Sequence, residues 1–107
     1  MNILIFGDSI AWGAFDTQAG GWADRLKALT FQDYKDTDFY NMSINGDTTR
    51  GLLKRLELDI QSRKSNMVII ALGTNDSLFD EDSEDHLVPF VEFQENLKKK
   101  SYRSYLG

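Results

Sequence analysis

The apolar residues of this chain gather in short runs that are typical of buried parallel strands. Residues 2–6 (NILIF) and 67–72 (MVIIAL) are nearly unbroken apolar stretches, and each is followed by a glycine. A strand that is covered on both faces has such a continuous run, whereas a strand with one wet face alternates. Residues 38–44 (DFYNMSI) form a weaker run that ends at Asn45 and Gly46. The pattern therefore predicts three strands.

The segments between and after these runs have the spacing of amphipathic helices, in which apolar residues three or four positions apart share a face. The predicted inner faces of three helices are Trp22, Leu26 and Leu29, then Leu52, Leu56 and Ile60, then Phe90, Phe93 and Leu97. Thr48 or Thr49 suits the N-cap of the second helix, and the third is expected to begin near Pro89. The acidic residues 80–86 are expected to form a solvated connection.

Alternation of strands and helices predicts an α/β fold, because parallel strands need a crossover connection and such crossovers are right-handed. We expect a short parallel sheet of about three strands in the order 2-1-3, flanked by helices. The length of 107 residues allows one domain. The helical spacing stops after Leu97, so the chain divides into residues 1–97 and a solvated tail, residues 98–107.

Composition narrows the classes of function. The net charge of −5 opposes binding to nucleic acid, which depends on Lys and Arg neutralising phosphates. The absence of cysteine excludes disulfides and thiolate metal sites. No apolar stretch approaches the ~20 residues that cross a bilayer. The first strand candidate starts at residue 2 and leaves no room for a signal peptide, so we expect a cytoplasmic protein.

Three polar turns follow the three predicted strands. In a parallel α/β sheet, ligands bind beyond the carboxyl ends of the strands, so these turns should face one crevice. The first contains Ser9, which can supply a nucleophilic hydroxyl and its own backbone N–H. Gly46 in the second can offer a backbone N–H, and Asn75 in the third can offer its side-chain amide. A serine beside several hydrogen-bond donors is the arrangement that acyl transfer requires.

The same three turns carry a family resemblance. Gly7-Asp8-Ser9-Ile10, residues 41–49 (NMSINGDTT) and Gly73-Thr74-Asn75-Asp76 resemble the first three sequence blocks of the SGNH, or GDSL-type, hydrolases, and the likeness runs from residue 2 to about residue 97. These are esterases, lipases, thioesterases and carbohydrate deacetylases.

The resemblance implies a three-layer, flavodoxin-like α/β/α fold. It also implies hydrolysis of a small ester or thioester through an acyl-serine, without metal or organic cofactor. Ser9 matches the nucleophile of the family, and Gly46 and Asn75 match its oxyanion donors. Asp8 is expected to organise the turn and not to serve as the acid of a triad.

The fourth block of that family, an Asp-x-x-His motif that supplies the general base, is not found. His86 is the one histidine, and Ser83 stands three positions before it. We expect His86 to be a solvated residue and the activity of this chain alone to be impaired. A truncated product, a frame-shifted tail and a second chain that supplies the missing part all remain open. The functional alternative is a non-catalytic remnant or binding fragment that keeps the oxyanion loops.

Three further interpretations concern other residues. Asp8, Asp47 and Asp76 lie in the three turns and could bind Mg²⁺ through their carboxylates. Trp12, Trp22 and Phe79 are expected to lie in the core rather than in a pocket, with Phe79 the best pocket candidate. The third strand would present an unpaired apolar edge if no later strand covered it, which favours a homo-oligomer.

Overall fold

The computed structural model describes the backbone of residues 1–106 and the side chains of residues 1–99. Its central sheet has three parallel strands, β1 Asn2–Gly7, β2 Asp38–Asn41 and β3 Met67–Ala71. They lie in the order β2-β1-β3, as predicted. In the register of the sheet, Ile5 is opposite Asn41 and Gly7 is opposite Ala71. The carboxyl ends of all three strands therefore lie at one edge of the sheet.

Five helices and a small hairpin complete the described part of the chain. The helices are α1 Ser9–Trp12, α2 Trp22–Asp33, α3 Thr49–Leu53, α4 Leu56–Ser62 and α5 Phe90–Leu106. The hairpin pairs β4 Phe79–Asp80 with β5 Asp85–His86 in antiparallel fashion. The acidic connection predicted at residues 80–86 is thus partly a hairpin. Three of the four residues in β4 and β5 are exposed, so the sequence of this hairpin needs no apolar run.

The side chains of β1 alternate between two hydrophobic clusters on opposite faces of the sheet. On one face Ile3 and Ile5 pack with Ala23 of α2 and Phe39 of β2. On the other face a second cluster contains Leu4, Phe6, Leu52 and Leu56. Helices therefore cover both faces, and the molecule has the three layers of the predicted α/β/α fold. This double coverage explains the unbroken apolar run of β1.

The second predicted helix is two helices. The polypeptide turns between α3 and α4 at Lys54 and Arg55, where the backbone N–H of Arg55 donates to Leu52 O at 3.1 Å. Arg55 leaves the helical region at φ −128. Its guanidinium donates from Nη1 to Met42 O at 2.7 Å. A long-range contact of one arginine thus accompanies a break that the apolar spacing could not reveal.

Several large side chains predicted to face the core are exposed. Leu29 and Phe90 are each 64% exposed. The smaller Ala23 is buried on α2, because a small side chain lets the helix approach the sheet closely. The core interpretation was also wrong for Trp12, Trp22 and Phe79, which are 53%, 37% and 65% exposed.

Helix α5 begins at Phe90, directly after Pro89, as predicted. Its bounds extend to Leu106, although the apolar spacing predicted an end near Leu97. Lys98 and Lys99 are exposed. The side chains of residues 100–107, part of the predicted solvated tail, lie outside the described residues. Among the helices that are described, none combines the length and the apolar character that a membrane span requires.

Replacing Phe6 by alanine should lower the free energy of unfolding by about 3–5 kcal/mol, the usual cost of deleting a fully buried aromatic ring. Phe6 is 0% exposed, and the guanidinium of Arg55 lies 5.1 Å from the centre of its ring. Urea denaturation followed by circular dichroism measures the change. Phe15→Ala is the matched control, because Phe15 is 81% exposed and its loss should cost within about 0.5 kcal/mol. Equal costs for the two variants would contradict this description of the core.

The loop between α1 and α2 is organised by the carboxylate of Asp16. It accepts hydrogen bonds from the backbone N–H groups of Gln18, Ala19 and Gly21 at 3.1, 3.0 and 3.0 Å. The guanidinium of Arg25 donates to it from Nε at 2.8 Å. The hydrogen bond from Arg25, followed by those from the backbone, holds the pKa of Asp16 well below its usual range. Folding therefore favours the ionised form of this side chain.

Asp16→Asn is expected to lower the free energy of unfolding at pH 7, and this loss should become smaller as the pH falls. When folding lowers the pKa of an Asp, the ionised side chain adds to the free energy of unfolding. This contribution is fully present above the pKa of about 3.9 that Asp has in the unfolded chain, and it declines as the pH falls below that value. Urea midpoints at pH 7, 5 and 3 test this, with Asp36→Asn as an exposed control. A deficit that stayed constant down to pH 3 would contradict the ionised-carboxylate explanation.

Candidate active site

The first turn places Ser9 at the start of α1. Asp8 is the N-cap of this helix, and its carboxylate accepts a hydrogen bond from the backbone N–H of Ile10 at 3.0 Å. Asp8 is buried and organises the turn, as predicted. A Cβ on Gly7 would lie 2.5 Å from the Cβ of Ala11, so only glycine allows α1 to start this close to the strand. Ser9 is half-buried at the resulting corner.

The second turn places Gly46 on the surface in the left-handed region, at φ +78. A Cβ there would meet no atom within 4 Å, so glycine is needed for the backbone conformation and not for space. The next residue, Asp47, is held by Arg55, whose Nη2 donates to Oδ2 at 2.7 Å. Because Arg55 also donates to Met42 O, one guanidinium fixes both ends of this turn.

The third turn places Asn75 against the second. Its Nδ2 donates to the backbone carbonyl of Asp47 at 3.0 Å. An amide nitrogen carries two hydrogens, and the second one makes no hydrogen bond within the described part of the chain. The planar amide is thus held by one N–H while the other remains available to a ligand. Asn75 is half-buried, so this donor is partly shielded from water.

Hydrogen bonds join the three turns at one sheet edge. The backbone N–H of Ile44 donates to Gly7 O at 3.1 Å and joins the second turn to the first. The bond from Asn75 to Asp47 joins the third turn to the second. The side chain of Asn41, at the end of β2, donates to Ala11 O in α1 at 2.9 Å. The expected convergence of the three strand ends is therefore present.

His86 lies in the exposed strand β5, next to the third turn, since it lines one cavity together with Gly73 and Asp76. Its exposure agrees with the prediction, although it belongs to a strand and not to a loop. Its Nδ1 lies 2.8 Å from the backbone carbonyl of Ser77. A carbonyl only accepts, so Nδ1 is the donor in this contact. Among the described side chains, no carboxylate contacts the ring as an orienting acid would.

The three turn aspartates do not form a magnesium site. Asp8 caps α1, Asp47 binds Arg55, and Asp76 accepts hydrogen bonds from Thr49 at 3.1 Å and 2.5 Å. No group of three His, Cys, Asp or Glu side chains able to hold a metal occurs among the residues that the structure describes. The magnesium interpretation was therefore wrong, because each carboxylate is committed to its own local donors.

Two cavities lie near the turns. One of about 260 Å³ is lined by Asp8, Ile10, Ala11, Trp22, Ala71, Leu72 and Thr74. Another of about 170 Å³ is lined by Gly73, Asp76, Ser77, His86, Val88, Phe90 and Phe93. Phe79, the aromatic residue with the best pocket prediction, lines neither of these two. Trp22 lines the larger one, next to the residues that flank Ser9.

The sequence interpretation missed three polar residues that support the turns. Arg55 clamps the second turn, and Thr49 and Asn96 are buried against the third, at 1% and 5% exposure. Thr49 was noticed only as a possible cap. Asn96 lies three positions after Phe93 and therefore on the predicted inner face of α5, so a polar residue on that face was the signal. Arg50 and Glu92 also join α3 to α5 through a 2.7 Å ion pair, which lowers the pKa of Glu92.

A parallel sheet with helices on both faces and a serine-bearing turn at its carboxyl edge make this chain a three-layer α/β protein with a candidate serine nucleophile. The model of the GDSL-like Lipase/Acylhydrolase family matches residues 5–104, and the chain belongs to this family.

Known proteins agree with this assignment. The chain is 36% identical to the esterase TesA of Pseudomonas aeruginosa over 77 residues. This match covers 72% of the present chain and 38% of TesA. A crystal structure of TesA has a TM-score of 0.81 and 29% identity, covering 98% of this chain and 54% of the other. The psychrotrophic esterase EstA from Pseudoalteromonas, in a structure inhibited by monoethylphosphonate, has a TM-score of 0.79 and 30% identity, covering 97% and 53%. The chain spans about half the length of these structures, and less of the curated relative.

Proposed function

We propose that this chain carries the nucleophile and the oxyanion donors of a serine esterase that acts on small esters or thioesters. Ser9 is the nucleophile, and the donors are the backbone N–H groups of Ser9 and Gly46 and the side-chain amide of Asn75. The observation that carries the proposal is the hydrogen bond from Asn75 Nδ2 to Asp47 O. It holds the amide beside the Gly46 turn and leaves one N–H free for a ligand.

The proposed chemistry is acyl transfer. Ser9 Oγ attacks the carbonyl carbon, the carbonyl oxygen takes negative charge, and the three donors stabilise that charge. The bond to the alcohol or thiol then breaks, and an acyl-serine remains. The hydroxyl proton must pass to a base, and water must later cleave the acyl-serine with the same assistance.

The described part of this chain offers no residue that is well placed to act as the general base. His86 lies in the exposed strand β5, and no Asp stands three positions before it. Removal of triad members in other serine hydrolases leaves only about 10³–10⁴-fold acceleration over water. We therefore propose that this chain by itself forms the covalent intermediate slowly and turns over little ester.

A phosphonate reagent tests this proposal without requiring turnover. A p-nitrophenyl ethyl phosphonate places its phosphoryl oxygen where the oxyanion would lie. Ser9 Oγ forms a bond to phosphorus and loses its proton to water or buffer, the bond from phosphorus to p-nitrophenolate breaks, and the adduct is stable. We expect one adduct per chain by intact mass, mapped to Ser9 by peptide sequencing, together with little turnover of p-nitrophenyl acetate. No adduct, or an adduct at another residue, would favour the non-catalytic alternative. Robust turnover that depends on Ser9 would contradict the proposed impairment.

We also propose self-association through β3. This strand lies at the edge of the sheet, and Met67 at its start is 47% exposed. An edge strand presents unpaired N–H and C=O groups that a second copy of the chain can pair with. A small ester or thioester remains the proposed substrate, while nucleic acid is not proposed as a partner.

A further inference from the structure

A buried polar cluster lies directly behind the two proposed oxyanion turns. It consists of Thr49, Asp76 and Asn96, which are 1%, 2% and 5% exposed. Thr49 follows Gly46 by three positions, and Asp76 is the residue after Asn75. Burying a carboxylate, a hydroxyl and an amide is unfavourable unless each is hydrogen-bonded. The core therefore contains a costly feature that neither the fold pattern nor the proposed chemistry explains.

The contacts of this cluster join three elements. The carboxylate of Asp76 accepts from Thr49 twice, from the backbone N–H at 3.1 Å to Oδ1 and from the hydroxyl at 2.5 Å to Oδ2. Asn96 of α5 donates from Nδ2 to Thr49 Oγ1 at 3.1 Å. The hydroxyl thus accepts from one side and donates to the other, so its orientation is determined. A carboxylate suits position 76, because both of its oxygens only accept, and the backbone N–H of Thr49 lies within 3.1 Å of Oδ1 and 3.2 Å of Oδ2.

The cluster is a second connection between the same two turns. The first is the hydrogen bond from Asn75 to Asp47, and the second, from Thr49 to Asp76, joins the residues beyond it. Two connections prevent the turns from rotating about a single bond. Oxyanion stabilisation depends on donors that are in place before charge develops. A misplacement of ~1 Å can cost roughly 100-fold in rate.

We propose that Thr49, Asp76 and Asn96 are positioning residues that hold the Gly46 N–H and the Asn75 amide where both reach one oxyanion. This inference rests on the proposed function of Gly46 and Asn75. The cluster touches no substrate atom and acts only through the two donors. Its loss should slow the covalent step and leave the initial binding of a small reagent nearly unchanged.

The test compares Thr49→Val with Thr49→Ser in the phosphonate reaction. Valine keeps the shape and removes the hydroxyl, whereas serine keeps the hydroxyl. We expect Thr49→Val to lower the maximal rate constant of adduct formation by roughly 10- to 100-fold, with a half-saturating reagent concentration within about twofold of the unmodified chain. Thr49→Ser should restore the rate to within about threefold, since it keeps both hydrogen bonds of the hydroxyl. Equal rates for the unmodified chain and a folded Thr49→Val would overturn the positioning role.

Other measurements keep the inference testable. Circular dichroism shows whether Thr49→Val folds. If it does not, Asn96→Leu replaces it, because this change removes the donor to the Thr49 hydroxyl, together with the hydrogen bond between the Asn96 and Glu92 side chains. The ¹⁵N resonances of the Gly46 N–H and the Asn75 side chain should shift in the valine or leucine variant but not in Thr49→Ser. If the unmodified chain forms no Ser9 adduct, the proposed function fails while these resonances still test positioning. Unshifted resonances in a folded variant would overturn the inference.

Discussion

Replacing Ser9 by alanine should abolish the phosphonate adduct and any slow reaction with p-nitrophenyl acetate that exceeds the buffer rate. The change removes the only atom that we propose forms a covalent bond. It should leave the fold intact, because Ser9 is half-buried and its side chain makes no hydrogen bond described in the structure. Intact mass spectrometry and p-nitrophenolate release measure the two reactions.

Ser83→Ala is the matched control, because Ser83 lies in the exposed turn between β4 and β5, away from the three strand ends. It should react like the unmodified chain. The urea midpoints of both variants should be close to that of the unmodified chain, so that lost reactivity is not lost structure. An adduct of undiminished rate on Ser9→Ala would place the reactive group elsewhere and remove the basis of the proposed function.

Asn75→Ala is expected to slow adduct formation by roughly 100- to 1,000-fold, the usual effect of deleting one oxyanion-hole donor. The substitution removes the free N–H and also the hydrogen bond to Asp47 O. Both losses act on the transition state, where the phosphoryl oxygen carries more negative charge than in the bound reagent. The loss should therefore fall on the maximal rate constant. Kinetics at several reagent concentrations separate this constant from binding.

Two comparisons identify the origin of that loss. Asn45→Ala changes an exposed asparagine of the second turn and should alter the rate by less than about threefold, as expected for a side chain that is not an oxyanion donor. Asn75→Asp should be at least as slow as Asn75→Ala, because a carboxylate has no N–H and repels the developing charge. A rate for Asn75→Ala within threefold of the unmodified chain would exclude Asn75 as a donor.

The elements that agree with the sequence are those set by local pattern and by the chirality of crossovers. The apolar runs at residues 2–6 and 67–72 identified the two best strands, because only apolar side chains tolerate burial on both faces. The meeting of three turns at one edge followed from the parallel arrangement, and the order β2-β1-β3 agrees with the expected one. Family membership also followed from residues close in sequence, within each of three short blocks.

The errors concern side chains whose environment depends on distant partners. The break between α3 and α4 accompanies the contacts of Arg55 with Met42 and Asp47. The exposure of Trp12 depends on what packs against α1, and no periodicity in four residues can report that. The magnesium interpretation failed because local hydrogen bonds had already engaged the three carboxylates.

The sequence by itself determined the α/β class, because burial on both faces restricts residue type over short stretches. It also determined the family and the three candidate turns, because each motif block consists of residues that are close in sequence. The tertiary structure alone decided how the turns are held together. The hydrogen bonds from Asn75 to Asp47, from Thr49 to Asp76 and from Asn96 to Thr49 join residues 28, 27 and 47 positions apart. Hydrogen bonds between residues so far apart produce no periodic pattern in the sequence, since each partner is also a common turn or helix residue. The geometry of the proposed site therefore arises from the fold and not from its motifs.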